Sequence, residues 1–83
     1  MYFHVKVNTT EIGKQLRNRR KNRRLSAQFL ADALGCSKST YTYYERGISS
    51  ITIENLIKAC DLLGLNWIEV VYNAKNISER TTQ

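Results

Sequence analysis

Ser26-Ala27-Gln28-Phe29-Leu30-Ala31-Asp32-Ala33-Leu34-Gly35-Cys36-Ser37-Lys38-Ser39-Thr40-Tyr41-Thr42-Tyr43-Tyr44-Glu45-Arg46-Gly47 reads as two short helices joined by a tight turn. Ser26 and Ser37 stand where each helix begins, and a serine hydroxyl there accepts a hydrogen bond from an orphan backbone N–H of the first turn. Leu30, Ala31 and Leu34 fall at i, i+1 and i+4 and form one apolar stripe. Gly35 and Gly47 follow the two helices, where glycine takes the left-handed conformation at little cost. The small side chain of Ala31 lets the second helix cross closely. Tyr41 and Tyr44 are three apart and face inward, which leaves Lys38, Ser39, Thr42 and Tyr43 facing out.

Two helices at this spacing form the helix-turn-helix arrangement, whose second helix reads the DNA major groove. The surrounding text extends the match: Ile12-Gly13, Leu16-Arg17, Arg20-Lys21 and Leu25-Ser26 precede it, and Leu56, Ala59 and Leu62-Leu63-Gly64 follow Glu45-Arg46-Gly47. From Ile12 to about Val71 the chain resembles the Cro-like phage-repressor (XRE) family. The resemblance implies an all-α fold, a compact five-helix, lambda-repressor-like DNA-binding domain. It implies a sequence-specific double-stranded DNA-binding regulator, a repressor of phage or mobile-element type acting as a dimer on a palindromic operator, and not an enzyme. Lys38, Ser39 and Tyr43 stand where the family contacts bases, with Thr42 a further candidate. Arg20 and Glu45 match a family pair that bridges the first and third helices, against the alternative that Arg20 holds a phosphate. Where the family often places glutamine after the capping serine, this chain has Ala27, with Gln28 next.

The chain has 83 residues, a net charge of +6 and a pI near 9.6. That length gives one domain with a small core and no room for a separate ligand-sensing unit. The basic balance suits a polyanion such as nucleic acid or a membrane surface, or else a merely solvated basic face. Six of the eight residues from Arg17 to Arg24 are basic. At about 100° per residue, Arg17, Arg20, Lys21 and Arg24 gather on one arc. Because this run leads into the helix-turn-helix, Arg17, Lys21 and Arg24 are expected to contact phosphates, together with Ser26, Gln28 and Arg46; the plain alternative is a charged face in water. Each phosphate contact releases counterions, and the start of the second helix attracts anions.

Outside that core text, Phe3 to Val7 alternates apolar and polar and reads as a short strand. Thr9 or Thr10 is expected to cap a helix over 11–23, and Thr52 and Asn66 to cap two more. In the last helix Trp67, Val70 and Val71 make an apolar face. From Asn73 the sequence is polar and is expected to fray. The chain thus divides into an arm (1–9), a helix-turn-helix domain (10–72) and a tail (73–83). Phe3, Val5, Val7, Trp67, Val70 and Val71 are the expected dimer interface, the strand covered by its twofold mate or else packed back on its own subunit.

For the outward residues, Lys38 can donate to guanine O6 and N7, Ser39 and Thr42 can donate or accept, and the Thr42 methyl can pack on thymine. Tyr43 can touch a sugar, a thymine methyl or a phosphate; the alternative is a third inward tyrosine. Cys36 and Cys60 read as buried hydrophobes in a reducing cytoplasm, where the protein is expected to reside. No spanning segment is visible, and no cofactor or metal is expected, since His4 is the only histidine and lies far from either cysteine in sequence. A second reading makes the domain a protein-interaction module, such as an antitoxin or the target of an antirepressor, binding a small protein partner through the strand and tail. A third is non-specific nucleic-acid packaging.

Overall fold

The first helix is capped one residue ahead of the threonines expected to cap it. In the computed structural model, which describes the backbone of residues 3–79 and the side chains of 7–75, helix α1 spans Thr9–Asn22. Its cap is Asn8, whose side-chain oxygen accepts from Thr10 N at 2.9 Å and Glu11 N at 3.2 Å. Asparagine caps at least as well as threonine. Thr9 is thereby freed to tie α1 to the end of α3, its hydroxyl donating to Gly47 O at 3.2 Å.

The remaining helices are α2 (Ala27–Leu34), α3 (Lys38–Arg46), α4 (Ile53–Leu63) and α5 (Trp67–Asn73). Ser26 accepts from Phe29 N, Ser37 from Thr40 N, Thr52 from Asn55 N and Asn66 from Ile68 N and Glu69 N. Each cap satisfies amides that a helix start otherwise leaves orphaned. The core is built from Leu16, Leu30, Ala31, Tyr41, Leu56, Ala59, Cys60, Leu63 and Val70. Gly13 sets the approach of α1 to α3. A Cβ there would lie 2.6 Å from Tyr44 O and 2.6 Å from Glu45 C, and would clash with Glu45 O. Only glycine admits that backbone so close.

The expected strand is present as β1 (Phe3–Val7), but the tail does not fray as expected: Lys75–Glu79 forms β2, antiparallel to β1. Register pairs Phe3 with Glu79, Val5 with Ile77 and Val7 with Lys75. Asn8 N donates to Ala74 O at 2.7 Å, so the ribbon begins where α1 starts and α5 ends. A strand needs a partner to persist, and packing of α1 on α5 brings the chain's two ends together to supply one. The mate for β1 is therefore within the same chain. Among the described residues the architecture is five helices with a two-stranded ribbon where α1 starts and α5 ends.

Candidate nucleic-acid interface

Helix α3 divides cleanly. Tyr41 is fully buried, and Tyr44 packs beside the core, its ring edge-on to Tyr41 with centroids 6.5 Å apart. On the opposite side Lys38 and Ser39 are exposed, Thr42 is half-buried and Tyr43 is 42% exposed. The Thr42 hydroxyl donates to Ser39 O at 2.9 Å within the helix. In the preceding turn Cys36 is half-buried, and burial raises its pKa; burial and then Asp61 push the Cys60 thiol up to about 11. Both stay protonated at neutral pH.

Arg20 fastens α3 to α1. Its Nε donates to Glu45 Oε2 at 2.6 Å and its Nη2 to Oε1 at 3.0 Å, a forked pair in which both side chains are largely out of water. Arg20 Nη1 also donates to Leu25 O at 2.9 Å, so the same guanidinium holds the lead into α2. The bond to Glu45 raises the arginine's pKa further. The Tyr41 hydroxyl is buried and unpaired among the described residues; burial, then its neighbour Glu45, raise its pKa, so it stays neutral.

Over this pair lies a cleft of about 330 Å³ lined by Arg17, Arg20, Thr42, Glu45 and Arg46. It joins α1 to the outward face of α3, because Lys38, Thr42 and Arg46 follow one another at i, i+4. Arg17, Lys21, Arg24, Ser26, Gln28 and Arg46 are all at least partly exposed. Gln28 Nε2 donates to Asp32 Oδ1 at 2.8 Å, which restrains that amide.

The basic run is not one surface. Arg19 donates from Nη1 to Leu63 O at 3.2 Å and Gly64 O at 3.3 Å, at the end of α4. Arg23 lies over Gly64, its Cζ 3.1 Å from where a Cβ would be. Cations at a helix C-terminus satisfy its last carbonyls and oppose its dipole. Sequence reasoning missed this role, although the angular separation of Arg19 and Arg23 from the other arc was available to it.

The expected interface of the last helix needs correction. Val70 is 1% exposed, and Trp67 and Val71 pack against the core. Gln15 Nε2 donates to Val70 O at 2.9 Å, which seats that turn on α1. The exposed apolar pair on α5 is instead Ile68 and Tyr72, with Lys75 Nζ 3.6 Å above the Tyr72 ring. Val7 is exposed, while the side chains of Phe3 and Val5 lie outside the described residues. Among the described residues no three metal-ligating side chains cluster, and no helix is long and apolar enough to cross a membrane.

A family model described as Helix-turn-helix (HTH_3) matches residues 16–70. The chain belongs to that family. This helix-turn-helix protein is similar in structure to the restriction-modification controller protein C.AhdI from Aeromonas hydrophila, at 27% identity and a TM-score of 0.67, covering 75% of this chain and 94% of that one. It is similar to the clp gene regulator ClgR from Corynebacterium glutamicum, at 26% identity and a TM-score of 0.71, covering 83% of this chain and 90% of that one. It also resembles an HTH_3 family transcriptional regulator from Vibrio cholerae, at 36% identity and a TM-score of 0.66, over 80% of this chain and 37% of that one. No curated protein matches it in sequence. The family and these neighbours are those of DNA-binding transcription regulators.

Proposed function

We propose that this helix-turn-helix protein is a repressor that binds a palindromic operator as a twofold dimer and blocks a promoter by occupying it. The observation that carries the reading is the outward face of α3, where Lys38, Ser39, Thr42 and Tyr43 take no part in the core and Thr42 lines the arginine-bearing cleft. Lys38, Ser39, Thr42 and Tyr43 meet base edges. Arg17, Lys21, Arg24 and Arg46 meet phosphates, which position the helix without reading sequence. Ser26 and Gln28 add a further phosphate contact at the start of α2, where backbone N–H groups face outward.

One short helix reads only a few base pairs, so specificity calls for two, set about 34 Å apart by a twofold axis. Ile68 and Tyr72 supply the apolar surface for that contact. Selection from random duplex DNA tests the reading: a two-half-site consensus is expected, with a log–log salt slope of about −4 or steeper at about −0.9 per phosphate. Equal affinity for scrambled DNA, or a flat salt response, contradicts it. The second reading, a protein-interaction module, is favoured by one feature: the two-stranded ribbon has two outer strand edges, which can accept another chain. Co-purification of a stoichiometric small protein that displaces DNA would support it.

A further inference from the structure

The bond from the Thr42 hydroxyl to Ser39 O has a consequence for which base this position reads. A hydroxyl carries one proton, and at 2.9 Å that proton lies on the helix's own backbone. Toward a ligand, Thr42 therefore offers no donor. The bond also fixes χ1, since threonine in a helix chooses its rotamer by where its oxygen bonds. With the oxygen turned to the backbone, the γ-methyl is the group left on the outward side, and the oxygen's remaining lone pairs can only accept.

The surroundings narrow the choice further. Thr42 lines the same cleft as Arg17 and Arg46, above an Arg20–Glu45 pair that is neutral as a unit. In the major groove adenine N6 and cytosine N4 present amino hydrogens, which an outward methyl cannot engage. In the major groove the acceptor edges are guanine O6 with N7 and thymine O4. Only thymine adds a methyl group.

We propose that Thr42 is a specificity-determining residue that selects one thymine in each half-site through methyl–methyl contact, its hydroxyl taking no part in the reading. This rests on the proposal that α3 enters the major groove. Lys38, one turn earlier on the same row, retains its donors and reads a different base.

The test uses the full-length protein and the duplex recovered by selection, with each thymine replaced singly by deoxyuridine, which differs only by the 5-methyl group. One thymine per half-site is expected to lose about fourfold in affinity on that change, the worth of one buried methyl. Thr42→Val keeps the side-chain shape without the hydroxyl and is expected to keep that fourfold difference. Thr42→Ser keeps the hydroxyl bond without the methyl and is expected to bind the thymine and uracil duplexes equally. Thermal melts check that both variants fold; the serine variant carries the test alone if the valine variant does not. Tolerance of uracil at every position by the native protein overturns the inference, as does a Thr42→Ser variant that keeps every thymine–uracil difference of the native protein. A clear consensus without such a methyl dependence defeats this inference and leaves the DNA-reading proposal standing; absence of any consensus defeats both.

Discussion

Two faces of helix α1 carry arginine, and they do different things. On one, Arg19 bonds the last carbonyls of α4, and Arg23, just past the end of α1, lies over Gly64. On the other, Arg17 and Lys21 are exposed, and Arg17 lines the cleft shared with α3. Arg20 lies between them and is taken by Glu45. A run that reads as one charge block is divided by its neighbours: a carbonyl-rich helix end on one side, a buried carboxylate at the centre and a polar helix face on the other. A count of basic residues therefore overstates the number available to a phosphate backbone.

The largest effect that sharpens this division is expected at the centre. Arg20→Met strands the Glu45 carboxylate, only 4% exposed at its side chain, and is expected to cost about 3–5 kcal/mol of stability in chemical denaturation. Glu45→Gln should cost less, because the amide oxygen still accepts from Arg20. Loss of DNA affinity at unchanged stability would instead put Arg20 on phosphate. Next comes Gly13→Ala, whose added carbon meets the Tyr44 and Glu45 backbone. Forcing α1 from α3 is expected to cost about 1–3 kcal/mol, and to weaken DNA binding through the displaced recognition helix. A melting temperature equal to the native one would contradict the close approach.

Arg19→Ala is expected to cost about 1 kcal/mol, the worth of a cation on the last carbonyls of a helix, with DNA affinity at fixed salt unchanged in the folded fraction. The smallest effect is at Tyr41. Its hydroxyl is buried without a partner among the described residues, so Tyr41→Phe removes an unsatisfied group and is expected to leave stability level or raised by up to about 1 kcal/mol. A clear loss would mean that the hydroxyl supports the Arg20–Glu45 pair.

Local signals in the sequence were strong where the chain caps and turns itself. Ser26, Ser37, Thr52 and Asn66 each cap the helix expected of them, and Gly35, Gly47 and Gly64 are left-handed at the helix ends. Those signals need only residues a few positions apart. The features that escaped depend on distant partners. Lys75-Asn-Ile-Ser-Glu79 has one β-branched residue and no period, and it is a strand because α1 and α5 deliver β1 beside it. Val70 was legible as apolar, but whether it faced the core or a second subunit depended on how α5 sits against Gln15 of α1. Arg19 and Arg23 needed the position of the α4 terminus. At the candidate site, the sequence separated the inward from the outward residues of α3, whereas the hydroxyl bond that decides what Thr42 can offer is visible only in three dimensions.

The most direct test of the division on α1 is the salt dependence of DNA binding by Arg17→Ala and Arg19→Ala, measured beside the native protein on the selected duplex. Loss of one phosphate contact is expected to make the log–log slope shallower by about 1 for each subunit carrying Arg17→Ala, with stability unchanged, while Arg19→Ala keeps the native slope. Equal slopes for all three proteins, or a shallower slope for Arg19→Ala alone, would contradict the division.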